Sequence, residues 1–417
     1  MRNVRTRVPL WGRSLFLLVF FVLSTRSEAE PVRQVTWQEI ARAVDQHPRL
    51  AAARSQLEAA RGSIISAGAL PNPEAEATLG HGRARSGDTT RLEWGLNLNL
   101  PLSWIAQRGP KIAVAGADVA LASADAKVLR HEVLLELRTL FWNLARDQAL
   151  VAAMDALAEQ SASLVAVVEK RVKKGESRPV EAVRVGIEFE KIDIERTSVR
   201  LALAARQATL ALWLGANPGT TIQVVGDLDA LPDVPDRDTV LAKVQASHPA
   251  ILGSKARIQA LDASLISEGR ARVPRMALTG FTNHELDRRA YGLGMAIEVP
   301  AWNWNRGGIA QATAKLAASR KEAEDTTLRL AALVIDIQST CQASVQTANR
   351  FRVSLVPAAE SAAATMERTY QLGEASLLEV IDARRTILEA RRLSLDALAR
   401  AQIDCSRLAV ITGEDFQ

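Results

Sequence analysis

Two periodicities divide this chain. Over 91–100, Leu92, Trp94, Leu96, Leu98 and Leu100 alternate with Arg91, Glu93, Gly95, Asn97 and Asn99. Over 290–299, Tyr291, Leu293, Met295, Ile297 and Val299 alternate with Gly292, Gly294, Ala296 and Glu298. A period of two predicts strands, with hairpin partners at about 73–80 and 275–283 and polar loops at 81–90 and 284–290. Elsewhere the pattern is helical, over 37–68, 111–174, 179–214, 238–269, 308–372 and 377–411. No proline falls between 111 and 178, so at 1.5 Å per residue that helix extends roughly 95 Å. Helices of this length are held by coiled-coil packing. Pro357 is expected to kink the 308–372 helix locally.

The chain repeats itself. His47-Pro48 returns as His248-Pro249, Pro71 as Pro274, and Pro101 with Trp104 as Pro300 with Trp302 and Trp304. Arg108-Gly109 returns as Arg306-Gly307, Gly175-Glu176 as Gly373-Glu374, and Leu214-Gly215 as Thr412-Gly413. The order is kept and the offsets stay between 198 and 203 residues. That is far beyond a solenoid period, so the chain is a two-copy duplication. The first copy spans 30–215 and the second 238–417. Residues 216–237, rich in Gly, Pro and Asp, read as a linker. The fold class is mainly α with β, each copy holding a helix, a β-hairpin and a long helical hairpin.

Charge changes the picture once its position is considered. The 417 residues carry 52 basic and 47 acidic side chains. Five arginines and one glutamate lie in residues 1–29, leaving 47 against 46. That first segment has a basic start (Arg2, Arg5, Arg7, Arg13), an apolar run over 15–23 and Ser27-Glu28-Ala29, the grammar of a cleaved export signal. The remaining chain is near neutral, which gives nucleic acid no basic surface. No later stretch is an apolar 18-mer. An exported chain of this kind is either periplasmic or crosses an outer membrane as β-structure.

The alternating strands decide between these. A half-buried sheet would alternate in the same way, but here two hairpins share length, alternation and flanking Pro and Trp. We read Leu92, Trp94, Leu96, Leu98, Tyr291, Leu293, Met295 and Ile297 as lipid-facing positions. Four strands cannot close a barrel, whereas three copies supply twelve and leave no open edge in lipid. A homotrimer in the outer membrane follows.

Enzyme signatures are absent, with no phosphate-binding loop, no dinucleotide fingerprint and no nucleophile elbow. The histidines lack ligand spacing, so neither a metal nor a cofactor is expected. His47 and His248 read as helix boundaries. Cys341 and Cys405 lie 32 residues before and after Gly373. Across a helical hairpin turning there they stand nearly opposite, and an oxidising compartment permits a disulfide. Packing as two small apolar residues is the other reading.

With these features in place, the chain resembles the TolC-type outer-membrane efflux family over residues 36–413. The resemblance rests on Leu70-Pro71-Asn72-Pro73-Glu74, on Asn305-Arg306-Gly307-Gly308-Ile309, and on the tip from Tyr370 through Gly373 and Glu379 to Asp382-Ala383. It implies a trimeric twelve-stranded barrel continued by a periplasmic helical barrel. It implies a closable aperture ringed by Glu379 and Asp382 and gated by Tyr370. The tips at Gly175, Glu176, Gly373, Glu374 and Leu377 would dock a periplasmic adaptor, which joins the channel to an inner-membrane pump. Ala375 stands where some members carry an arginine, a departure from the family's gating latch. The Asn-Arg-Gly motif and the lack of a lipid-anchor Cys look most like the cobalt–zinc–cadmium branch, which works with pumps of the resistance–nodulation–division class. The expected function is passive export of divalent heavy-metal cations. Multidrug efflux or protein secretion through the same channel is the alternative, and a periplasmic coiled-coil scaffold is a remoter one.

Overall fold

The computed structural model describes residues 32–83 and 90–413. The export signal read at 1–29 lies outside the described residues, as does the tip of the first β-hairpin.

The elements run in two matching series. In the first, β1 (Arg33–Thr36), α1 (Trp37–Val44) and α2 (Pro48–Gly68) precede the hairpin of β2 (Glu74–Arg83) and β3 (Thr90–Pro101). The long helices α3 (Trp104–Lys173) and α4 (Pro179–Trp213) follow. In the second, β4 (Ile222–Val225) leads to α5 (Arg237–Ser247) and α6 (Pro249–Arg270), then the hairpin of β5 (Arg275–Glu285) and β6 (Arg288–Glu298). The series closes with α7 (Arg306–Arg350), a π-helical turn (Phe351–Leu355), α8 (Val356–Gln371) and α9 (Leu377–Thr412).

Several boundaries differ from those predicted, each for a local reason. The helices expected at 37–68 and 238–269 are each two helices, because Pro48 and Pro249 force the preceding histidine into an extended conformation. Each histidine then caps the second helix, its Nδ1 accepting from Arg49 N at 3.3 Å and from Ala250 N at 3.2 Å. The first long helix begins at Trp104 and runs through Pro110. Pro110 has no N–H to give the carbonyl four residues back. Arg270 supplies the missing donor, its Nη1 lying 3.0 Å from the Ala106 oxygen. Pro357 is accommodated in the second long helix by the π turn just before it.

The segment read as a linker contains a strand. β4 pairs in parallel with β1, Val35 opposite Val224, so the start of the chain is stitched to the junction between copies. Around this pair lies the main core, with Trp37, Phe141, Trp142, Leu144, Leu210 and Leu398 buried together. Asp147, buried in α3, is held by Arg146 and Arg206, and Arg146 also reaches Asp396 of α9 at 3.0 Å. This waist anchors two projections of opposite character, the β-sheet at one end and the helical tips at the other.

Candidate functional site

The two hairpins join into one antiparallel sheet in the order β2-β3-β5-β6. Directly paired residues share a face, so the register assigns every side chain. Trp94 pairs with Leu79 and His284, Leu96 with Ala77 and Thr282, and Leu98 with Ala75 and Gly280. Leu278 pairs with Met295 and Met276 with Ile297. The opposite face carries Glu74, Glu76, Glu93, Asn97, Asn99, Asn283 and Glu298, with Arg91, Arg275, Phe281, Thr78, Thr279 and small residues among them. Burial is inverted relative to a water-soluble sheet. The apolar face lies open, with Tyr291 at 88% and Leu293 at 85%, while on the polar face the ends are exposed and Gly95 at the centre is buried. The outer edges of β2 and β6 have no strand partner among the described residues. All eight positions read as lipid-facing lie on this exposed face.

At the other end both long hairpins turn through the same local structure. Gly175 and Gly373 take the left-handed region at φ +76° and +80°, which glycine enters without Cβ strain. Glu176 N donates to Arg171 O at 2.8 Å, and Glu374 N donates to Thr369 O at 3.0 Å, closing equivalent Schellman turns. The helices leaving these turns start differently. Ser376 and Glu379 form a capping box on α9, Ser376 N lying 2.6 Å from the Glu379 carboxylate. Those hydrogen bonds, backbone first, lower the pKa of Glu379 below the ordinary carboxylate value. Asp382 lies one turn further on, also exposed.

Tyr370 does not hang free. It packs on the small tip core of Val168, Val185, Leu377 and Ile381, which joins α3, α4, α8 and α9. Its hydroxyl is buried with no hydrogen-bond partner among the described residues. Arg171 of α3 lies over its ring, 5.0 Å from the centroid.

The tips are also zipped by charge. α9 carries Arg384-Arg385 and, seven residues on, Arg391-Arg392. Arg384 reaches Glu367 and Arg391 reaches Glu360, both on α8. Arg385 reaches Glu188 and Arg392 reaches Glu195, both on α4. The partners are spaced by seven as well, the charge pattern flanking a coiled-coil seam. Hydrogen bonding by Arg385 lowers the pKa of Glu188. Neither these pairs nor the stacking of Arg171 was expected from the sequence, although the doubled arginines at heptad spacing carried the signal.

Cys341 of α7 and Cys405 of α9 are joined as a disulfide, Cα atoms 4.8 Å apart, inside a core shared with α5. A cavity of about 260 Å³ opens beside Cys405, with Arg138 and Lys243 in its wall. Burial lowers the pKa of Arg138 to about 10, and its guanidinium packs over Trp37 and Trp142. His131 and His248 meet edge to face at 6.4 Å, and burial, then His131, lowers the pKa of His248. No three His, Cys, Asp or Glu side chains converge to hold a metal among the described residues. No described helix is long and apolar enough to cross a membrane.

Comparison with known proteins adds to this geometry. The family described as "Outer membrane efflux protein" matches residues 40–216 and again residues 240–414. The cobalt-zinc-cadmium resistance protein CzcC of Cupriavidus metallidurans is 25% identical over 354 residues, which are 84% of this chain and 83% of that protein. The solved outer membrane protein VceC of Vibrio cholerae aligns with a TM-score of 0.76 and 19% identity, over 91% of this chain and 97% of its own. The solved CusC aligns with a TM-score of 0.77 and 17% identity, over 91% and 92%. At these identities the structures share the fold.

Proposed function

The chain belongs to the outer membrane efflux protein family, and from that premise we propose that it is the channel of a tripartite system exporting divalent heavy-metal cations. Members of this family are outer-membrane efflux channels and not enzymes. The single observation that carries the channel reading is the exposed band of apolar side chains across one face of the sheet, with His81, His284 and Arg289 only at its loop end. In water such a face is costly, and in hydrocarbon it is at home.

Two features support a homotrimer. The unpaired edges of β2 and β6 need partners in lipid, which a second and third copy supply. Below the sheet, α4 exposes Val180, Ile187, Ile194 and Leu201 at seven-residue spacing, the stripe of a helix lacking its coiled-coil neighbour. In the closed ring the polar face of the sheet becomes the lumen, and its glutamates favour cations.

At the tips, Glu379 and Asp382 are the aperture ring, and Tyr370 is the gate that seats in the tip core. The turns at Gly175-Glu176 and Gly373-Glu374, with Leu377 behind them, accept a periplasmic adaptor, which couples the channel to a resistance–nodulation–division pump in the inner membrane. An export signal at 1–29 delivers the chain to the outer membrane.

The cargo rests on the likeness to CzcC. Growth of a deletion strain on graded Co²⁺, Zn²⁺, Cd²⁺ and Ni²⁺, beside dyes and detergents, tests it. Sensitivity confined to the cations is the expected result. Sensitivity to dyes and detergents alone overturns the metal assignment and makes the channel a multidrug one.

A further inference from the structure

Where the sheet gives way to helices, three segments converge on one rim. They are the start of α3 at 101–108, the entry to β5 at 270–275 and the exit from β6 at 299–306. Arg270 Nη1 donates to the Ala106 carbonyl at 3.0 Å, and Arg272 Nε donates to the Trp304 carbonyl at 3.2 Å, stitching the three together. Arg108 Nε donates to the last carbonyl of α2, Gly68 O, at 2.9 Å.

The rim combines two kinds of exposed side chain. Trp302 is 96% exposed, and Trp304, Ile105 and Val299 are exposed beside it, continuous with the apolar face of the sheet. Trp104 occupies the equivalent place in the first copy. Arg108, Lys111, Arg270, Arg272 and Arg306 are also exposed. These three segments contain no acidic residue, and the glutamates near them are engaged. Glu298 pairs with Arg275 on the polar face of the sheet, and Glu268 and Glu74 accept from Asn305 and Asn99. Each guanidinium has five donors. Arg108, Arg270 and Arg272 use one apiece on a carbonyl, and the rest have no partner among the described residues. An indole left in water next to spare arginine donors fits a ligand that presents hydrocarbon, then glycerol, then several anionic oxygens.

We propose that this rim binds the headgroups of anionic phospholipids in the leaflet on the helical side of the membrane. The tryptophans lie at the acyl boundary, and Arg270, Arg272 and Arg306 hold the phosphates. The inference rests on the barrel reading above. It adds a lipid charge preference that insertion alone does not require.

The test uses the full-length protein in vesicles of phosphatidylcholine alone or mixed with phosphatidylglycerol at about three to one, one lipid at a time carrying bromine near the headgroup. Tryptophan quenching should report phosphatidylglycerol enriched roughly five-fold at the rim. The enrichment should fall in high salt and in Arg272→Gln/Arg306→Gln, and the quenching itself should drop in Trp302→Phe/Trp304→Phe. Because Arg272 also stitches the rim, Arg306→Gln alone gives a second reading that leaves every described hydrogen bond intact. Quenching by the two brominated lipids in the bulk proportion of about three to one, in a protein that inserts and shows a heat-modifiable barrel, overturns the inference and leaves the channel standing. A protein that fails to insert in either vesicle overturns the barrel reading, and the inference falls with it.

Discussion

Arg171, near the end of α3, lies over the ring of Tyr370, near the end of α8, with its guanidinium carbon 5.0 Å from the ring centroid. The contact ties the tip of the first copy to the tip of the second. A cation over an aromatic face contributes about 0.5–2 kcal/mol, depending on solvent. The ring makes this contact and the packing against Leu377 and Ile381, while the hydroxyl has no partner among the described residues. Tyr370→Phe should therefore leave resting conductance in a planar bilayer near that of the natural channel, and Tyr370→Ala should raise it. A rise in Tyr370→Phe equal to that in Tyr370→Ala would show that the gate acts through its oxygen and reject this account.

Selectivity gives a second test, with a pH dependence of defined sign. Glu379 has its pKa lowered by the Ser376 backbone and side chain. Its capping contribution is complete above the ordinary carboxylate value and is lost only as pH falls through the lowered one. Cation preference should thus persist into mild acid and decline below the usual carboxylate range. Glu379→Gln with Asp382→Asn keeps a capping side chain and removes both charges. Reversal-potential measurements should show reduced cation preference, and an unchanged potential removes both residues from the ring.

The sheet was legible because its alternation is strict and its copies agree. Trp94 and Leu96 could be assigned to one face with no knowledge of the partner strand. The duplication was legible because Gly175, Gly215, Gly373 and Gly413 all stand at left-handed helix ends, where glycine costs least. What stayed hidden depends on long-range neighbours. β4 is only four residues, and its partner β1 lies far back in the chain, so no local period announces it. Pro110 reads locally as a helix breaker, and only Arg270, distant in sequence, makes it tolerable. Glu379 was read as a member of an aperture ring. Its bond to Ser376 gives it a structural task as well, one that leaves the charge in place.

The two arginines of the first doubled pair should differ in worth. Arg384 is largely covered and bonds Glu367 through Nε and Nη2, at 2.9 and 2.6 Å, and the Gln160 carbonyl through Nη1 at 3.2 Å. Arg385 is mostly exposed, bonding Glu188. Arg384→Ala should cost about 1–3 kcal/mol. Arg385→Ala should cost less than about 1 kcal/mol, since solvent screens an exposed pair. Chemical denaturation of the detergent-solubilised trimer ranks them, and equal losses would contradict the assigned geometry.

The disulfide between Cys341 and Cys405 closes a loop that holds the end of α7, α8 and most of α9, a sequence separation of 64. In the chain-entropy account a loop of this size contributes about 4 kcal/mol. Cys341→Ser/Cys405→Ser should lower the melting temperature, and added reductant should lower that of the natural protein but not of the variant. Thiol titration of denatured, unreduced protein should find no reactive thiol; two would eliminate the bond.

The docking role proposed for the tip glycines can be tested apart from folding. No atom lies within 4 Å of where a Cβ would stand on Gly373 or Gly175, so substitution meets backbone strain without a packing clash. A β-branched residue forced into the left-handed region costs about 1–3 kcal/mol, small beside the waist core that holds the chain together. Gly373→Val should therefore still form trimers of normal mobility and insert normally. The strain is local to the turn, where Glu374 N meets Thr369 O, so relief must reshape the surface offered to an adaptor. Export in cells should fall while single-channel conductance in bilayers stays intact. Loss of both would place the defect in the pore, and loss of neither would move the docking site away from this tip.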